Sequence, residues 1–261
     1  YEDDSLVQKP GMLEVSHVSF AYPGGEKIYE DFNLSAFPGQ IIGVTGAVAC
    51  GKSTLGKTFL CEYPYEGRIC FHGKELSGMT KAEQNGMVGY LGHDPELFND
   101  SVRNNILLGD DDDPEKYLKA VCFDGEVAEM EEGMDTIVGN GGVRLSGGQA
   151  QRLALARTLC HKRPVLILDD PFSALDRKTE EEVFANLRKL AADSIVILLS
   201  HRLYLFPEMD QVMWMEDGKV TAGTHEQILE KFPEYARLYE AQADGADAHS
   251  TQEGGLDHAE K

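Results

Sequence analysis

No run of about 18–20 uninterrupted apolar residues occurs in the 261-residue sequence, so no segment reads as a membrane-spanning helix. No basic segment followed by an apolar one opens it in the manner of a secretory leader. Basic residues are scarce: 24 Lys and Arg stand against 45 Asp and Glu, a net charge of −21, with a pI near 4.7. Such a surface repels phosphate backbones, and nucleic acid is not expected as a partner. A single phosphate group can still be held, because backbone N–H groups and one lysine supply a local positive field. The five cysteines, Cys50, Cys61, Cys70, Cys122 and Cys160, are odd in number and nowhere spaced C-x-x-C. A disulfide framework or a zinc site is therefore not expected, and a reducing cytosolic compartment fits best. The sequence starts at Tyr1 rather than Met, in a polar stretch that runs to Ser5. A segment of a longer protein is the expected reading, with processing as the alternative.

What is present suits one large domain, or one domain with an inserted subdomain. Residues 1–12 read as a linker. Leu13 to Phe20 partly alternates apolar and polar residues and predicts a half-buried strand. Tyr22-Pro-Gly-Gly25 is a turn signal. Ile41 to Val44 is a buried-strand run, followed by a glycine-bearing loop and a helical pattern; Ile69 to Phe71 and Met87 to Leu91 are further strand candidates. From about 100 to 161 the pattern is mostly helical, and the acidic run Asp110-Asp-Asp-Asp113 reads as a solvated loop. Val165 to Leu168, Ser194 to Leu199 and Gln211 to Met215 are strands. Between the first two, Thr179-Glu-Glu-Glu182 resembles a capping box ahead of Val183, Phe184, Leu187, Leu190 and Ala191 at helical spacing. This alternation predicts an α/β core with a mainly parallel sheet. Residues 242–261 hold one large aliphatic side chain, Leu256, and are expected to form a disordered acidic tail.

Gly46-Ala-Val-Ala-Cys-Gly-Lys-Ser53 matches the phosphate-loop pattern G-x-x-x-x-G-K-[ST], with an apolar strand before it and a helix after it. Glycines let the backbone curl so that its N–H groups face phosphate oxygens. Lys52 is expected to stand in solvent when the loop is empty and to reach the β- and γ-phosphates, while Ser53 offers a hydroxyl to Mg²⁺. Such a loop requires a carboxylate at the end of a neighbouring buried strand, and Val165-Leu-Ile-Leu-Asp169 supplies it.

Between these motifs stands Leu145-Ser-Gly-Gly-Gln149, followed by Ala-Gln-Arg152. Here the sequence resembles the nucleotide-binding domain of ATP-binding cassette (ABC) transporters, over roughly residues 13–240. The resemblance implies a P-loop NTPase core with a mainly parallel sheet, an antiparallel β portion and an inserted helical subdomain at about 100–161, the whole ATPase domain occupying 13–241. It implies ATP and Mg²⁺ as ligands. Gly46, Cys50, Gly51, Lys52, Ser53 and Thr54 would surround the phosphates, and Tyr22 would lie against the adenine. Ser53, Asp169 and His93 would hold the metal, and His201 would be the switch histidine at the γ-phosphate. Ser146, Gly147, Gly148 and Gln149 would face the ATP held by a second ATPase domain, two domains closing head to tail on two ATP molecules. Ser173-Ala-Leu-Asp176 would cross that interface. Asp94 to Phe98, Asp135 to Gly139 and Gly223-Thr-His-Glu226 resemble the exporter branch, which implies a transmembrane domain fused upstream of Tyr1 and a place on the cytoplasmic face of the cell membrane.

Three positions depart from the family's pattern. Asp170 stands where a glutamate usually orients the attacking water, one methylene short in reach. His93 replaces a glutamine that touches the metal, and Asn140 replaces a glutamate ahead of the signature. With the signature itself intact, these departures imply a catalytically weak site on this chain and a non-identical partner whose site is complete; tolerated drift in an ordinary homodimer is the blander reading. A regulatory nucleotide-binding module and a soluble family member outside transport are the alternatives.

Overall fold

The computed structural model describes residues 11–139 and 141–250, with side chains described through residue 242. Asn140 and residues 251–261 lie outside the described residues, as does the expected linker apart from Gly11 and Met12.

The chain opens with β1 (Leu13–Ala21) and β2 (Lys27–Ala36), an antiparallel pair that starts with Leu13 opposite Ala36. Leu13, Val15, Val18 and Phe20 point inward. The alternation is only partial because the register shifts between Val15 and Val18, where His17 takes a left-handed backbone (φ 51). On the other side of β1, Gly67 accommodates this bulge. A Cβ there would stand 2.3 Å from the His17 carbonyl oxygen.

β3 (Ile41–Gly46) is buried throughout and leads through the glycine-bearing loop into α1 (Lys52–Thr58). β4 (Glu66–Phe71) and the short β5 (Lys74–Glu75) extend the antiparallel portion outward from β1. α2 (Lys81–Met87) runs directly into β6 (Val88–Leu91), so Met87, expected in the strand, is the last residue of the helix.

The stretch from 100 to 160 is mostly helical, as expected. β7 (Asp100–Ser101) precedes α3 (Val102–Leu107), α4 (Pro114–Ala120) and α5 (Asp124–Ala128); β8 (Ile137–Val138) pairs back onto β7, and α6 (Gly147–Cys160) closes the unit. The acidic run is a surface loop whose charges have local work. Asp113 caps α4, and Asp112 contacts Lys116 and the Tyr117 hydroxyl, which with the Asp113 N–H hold its carboxyl down to about 2.

β9 (Val165–Asp169), α7 (Arg177–Leu190) and β10 (Ile195–Leu199) follow, then the hairpin β11 (Gln211–Glu216) and β12 (Lys219–Gly223), α8 (His225–Lys231) and α9 (Pro233–Ser250). α7 begins earlier than the expected capping box. The carboxylate of Asp176 accepts both the N–H and the hydroxyl of Thr179, so Asp176 is the cap and Thr179 lies inside the first turn. The expected tail is helical as far as Ser250. The segment is rich in alanine, and the Gln242 amide ties it to the 201–203 turn, accepting from the Leu203 N–H at 2.7 Å and donating to the His201 carbonyl at 2.8 Å.

The ten-stranded sheet has the order β5-β4-β1-β2-β12-β11-β3-β10-β9-β6, and β11, β3, β10, β9 and β6 run parallel to one another. Strands covered on both faces read as unbroken apolar runs. Alternate residues then feed two cores. Leu166, Leu168, Val196, Leu198 and Trp214 pack toward α6, α7 and α9. Val165, Ile167, Ile195, Ile197 and Met213 pack toward α1 and the antiparallel strands. The arrangement is the α/β fold with a parallel core, an antiparallel portion and an inserted helical unit that the sequence implies.

Gly43 sits against the first core with no room for a side chain: a Cβ there would meet Met209 Sδ at 2.3 Å and the Phe206 ring at 2.8 Å. Gly43→Ala is expected to lower unfolding free energy by about 1–3 kcal/mol through overpacking, read from urea midpoints. A midpoint equal to or above that of the unsubstituted chain would mean that Met209 yields without cost.

Candidate functional site

β3, β10, β9 and β6 are neighbours in parallel register, with Val44 opposite Leu199, Leu199 opposite Asp169, and Leu168 opposite Leu91. Their carboxyl ends therefore stop along one edge, which is where α/β sheets place ligands. A cavity of about 260 Å³ opens there, lined by Lys52, Ser53, His93, Asp169, Asp170, Leu199, Ser200 and His201. Six residues singled out in the sequence, Lys52, Ser53, His93, Asp169, Asp170 and His201, thus meet in one cavity from four separate loops.

The loop after β3 is shaped by its glycines. A Cβ on Gly46 would lie 2.4 Å from the Met215 carbonyl oxygen. Gly51 holds φ at 100, and a Cβ there would meet Ile28 at 2.4 Å. Gly51 caps α1 without a side-chain acceptor, which leaves the first N–H groups of the helix for an anion. Ala49 takes a left-handed backbone (φ 64), a conformation that glycine adopts more readily. The expectation that Lys52 stands in solvent is corrected. Its side chain is buried, and its ammonium donates to the carbonyls of Gly46 at 3.2 Å and Ala47 at 3.1 Å. The loop curls around the charge, and its carbonyls replace water. Cys50 is half-buried, with Sγ 3.8 Å from the Lys52 ammonium.

Tyr22 lies beside this loop. Its hydroxyl is 3.3 Å from Thr54 Oγ1, and its ring packs edge-on against Phe20 and against Tyr63, with centroids 5.1 and 5.3 Å away. Tyr63, which the sequence did not flag, makes the exposed ring of Tyr22 part of an aromatic cluster.

Asp169 is buried, and its Oδ2 accepts a 3.0 Å hydrogen bond from the Tyr90 hydroxyl; burial and the facing carboxylate push that phenol up. Asp170 takes a left-handed backbone (φ 51), which Asp tolerates better than most residues. Its N–H donates to the Leu199 carbonyl, and its own carbonyl accepts from the Gln151 amide and the Ser173 N–H. Burial raises the Asp170 carboxyl above its ordinary range, against the pull of His201, His93 and Arg202. His93 Nδ1 lies 3.9 Å from Asp170 Oδ2. Burial lowers His201, and the Lys52 charge lowers it further, which favours a neutral imidazole.

Ser146, Gly147, Gly148 and Gln149 do not line this cavity. They form the N-terminus of α6. Ser146 Oγ accepts from the Gln149 N–H, and Gln149 Oε1 accepts from the Ser146 N–H, a reciprocal box. The remaining donor group of Gln149 binds Glu126, so this side chain shapes the helix end. Ser146 and Gly147 are exposed, and a Cβ on Gly147 would meet nothing within 4 Å. This helix end therefore faces outward and stands apart from the cavity.

A bracing network joins the two regions, and no sequence spacing announced it. Arg202 donates to the carbonyls of Leu175 and Ser173, each at 2.7 Å, and pairs with the buried Glu180 at 2.6 Å; the Tyr204 hydroxyl binds the same carboxylate. Gln151 bonds Asp170 and Ser173, and Gln242 bonds the His201 backbone. Gln151, Ser173 and Arg202 lie in or beside recognised family motifs, but Glu180, Tyr204 and Gln242 do not.

The profile of the ABC transporter family matches residues 29–173, more than half of the chain. Among curated proteins, ATP-binding cassette sub-family B member 6 of Xenopus tropicalis is 32% identical over 252 residues, 94% of this chain and 30% of its own length. A probable multidrug resistance ABC transporter ATP-binding/permease protein of Bacillus subtilis, YheI, is 35% identical, over 90% of this chain and 42% of its own length. The ATP-dependent lipid A-core flippase of Pseudomonas aeruginosa is 36% identical, over 91% and 41%. Among solved structures, a bacterial Atm1-family ABC exporter with ATP bound superposes with a TM-score of 0.82 at 30% identity, covering 91% of this chain and 43% of that one. The chain spans less than half the length of these relatives.

Removing the buried ammonium tests the loop directly. Lys52→Ala is expected to weaken Mg-ATP binding by at least an order of magnitude in calorimetry. It is also expected to cost about 1–3 kcal/mol of stability, because two loop carbonyls lose their donor. Unchanged ATP affinity would remove the phosphate-loop assignment.

Proposed function

The chain belongs to the ABC transporter family, and from that premise we propose that it is the ATP-binding and ATP-hydrolysing domain of an exporter. The observation that carries this reading is the single cavity where Lys52, Ser53, Asp169, Asp170, His93 and His201 converge at four strand ends. In this reading the α1 N–H groups and the Lys52 ammonium bind the β- and γ-phosphates, and Tyr22 stacks on the adenine. The donor set fits Mg²⁺: Ser53 offers a hydroxyl, Asp169 a carboxylate, and His93 stands beside them in the same cavity. When bound, the ion would neutralise charge developing on the phosphates. A neutral His201 holds the γ-phosphate by hydrogen bonding.

Asp170 stands where a carboxylate would orient the attacking water. Its backbone is fixed by three hydrogen bonds, so the side chain cannot advance to make up the missing methylene. Misplacement by ~1 Å costs on the order of 100-fold in rate, which supports a slow site on this chain. The exposed end of α6 is available to the ATP of a second domain, and an intact signature beside a weak site favours a non-identical partner. The membrane-spanning part of the same transporter is the second partner, with this domain on the cytoplasmic face. Phe98, Leu108, Ile137 and Val143 are exposed apolar side chains on or beside the helical unit. Val143 lines a cavity of about 430 Å³ with Glu96, Arg144 and Leu145, and Phe98 and Leu108 line another of about 360 Å³. A membrane domain would cover such a patch.

The test is an asymmetry in ATP turnover by the assembled transporter. Ser146→Glu is expected to stop hydrolysis, whereas Asp170→Asn leaves most of it. Asp170→Glu together with His93→Gln is expected to raise turnover at this site by up to ~100-fold. Equal loss from Ser146→Glu and Asp170→Asn would make this chain's own site the competent one. ATP-driven dimerisation of the isolated chain without turnover, and no recovery in the double variant, would favour a regulatory module.

A further inference from the structure

The cavity holds two imidazoles and two carboxylates, and the closest pair across loops is His93 Nδ1 and Asp170 Oδ2, 3.9 Å apart. We propose that these two residues act as one unit. Asp170 orients the His93 imidazole so that its Nε2 nitrogen ligates the divalent ion carried by the nucleotide, and this chain therefore accepts a first-row transition ion such as Mn²⁺ more readily than Mg²⁺. The inference rests on the reading of this cavity as the nucleotide site.

The two partners differ in freedom. Asp170 is pinned by its left-handed backbone and by hydrogen bonds at both its N–H and its carbonyl, and its side chain is only 17% exposed. His93 follows Gly92 just past the end of β6, and its side chain is 55% exposed. A separation of 3.9 Å is too long for a hydrogen bond, but a small rotation of the exposed ring closes it onto a carboxylate that stays in place. A carboxylate on Nδ1–H fixes the tautomer with the lone pair on Nε2 and raises its basicity, the arrangement that commonly supports metal-bound histidines. Asp169 is engaged differently: its Oδ2 is held by Tyr90, so it presents its other oxygen.

Among the described residues no three His, Cys, Asp or Glu side chains are already gathered around one point in metal-binding geometry. The protein alone thus offers an incomplete shell, and the ion arrives with phosphate oxygens and water around it. Within that shared shell, the nitrogen decides preference. Mg²⁺ takes oxygen donors and sheds water reluctantly; imidazole binds first-row transition ions, most weakly at Mn²⁺, which accepts oxygen and nitrogen donors together. The histidine and the short carboxylate are then two halves of one device: an aspartate holds the ring where a glutamate would reach past it toward the water.

The test needs no turnover. The full chain is mixed with Mn²⁺-ATP and examined by pulsed electron paramagnetic resonance for nitrogen-14 modulation. Modulation is expected in the unsubstituted chain and in His201→Gln, and it is expected to vanish in His93→Gln. In Asp170→Asn, Mn²⁺-ATP affinity is expected to fall on the order of 10-fold. In calorimetry, the ratio of Mn²⁺-ATP to Mg²⁺-ATP affinity is expected to drop on the order of 10-fold in His93→Gln. Tight Mn²⁺-ATP binding without modulation, or modulation that survives His93→Gln, overturns the inference and leaves the nucleotide site standing. Failure of the unsubstituted chain to bind either form of ATP overturns both.

Discussion

Parallel hydrogen bonding between β3, β10, β9 and β6 ends four strands along a single edge, and every group in the cavity hangs from one of those ends. A parallel sheet needs cover on both faces, which the chain provides with helices on one side and α1 plus the antiparallel strands on the other. Because the strands alternate between two cores, slipping one of them by a residue would exchange its inward sets and move its terminal side chain to the wrong face. Burial thus fixes the register, and the register sets where Lys52, His93, Asp169 and His201 stand relative to one another.

Much of this was legible in the sequence, for physical reasons. Doubly covered strands show as bare apolar runs such as Val165 to Leu168, and the phosphate loop is contiguous, so its motif, with Gly46 and Gly51 at fixed places, can be read in one stretch. Less legible were features in which two local rules compete. Thr179 and Asp176 both make sound helix caps, and only the structure shows the carboxylate taking both donors of the threonine. Alternation in β1 is interrupted by a bulge that depends on Gly67 in another strand. Lysine is rarely buried, and the inward position of Lys52 follows from the loop closing around it.

Least legible were partners brought together by tertiary folding. Tyr90 and Asp169 are 79 positions apart, and Glu180 and Arg202 are 22 apart. Glu180 is raised above its ordinary range by burial, and Tyr204 and Arg202 work against that shift. A buried carboxylate so held binds α7 to the turn after β10 and, through Arg202, to the Ser173–Asp176 loop. The cavity and the N-terminal end of α6, which Gln151 ties to Asp170 and Ser173, are thereby connected by side chains that would be unpaired if either moved alone.

Gln242 gives that turn a long handle. α9 has 18 residues, a rod of roughly 27 Å at 1.5 Å per residue, and Gln242 grips the backbone on both sides of Arg202 near the rod's middle. Displacing α9 would therefore strain both hydrogen bonds and disturb the backbone on either side of Arg202, next to the cavity histidine.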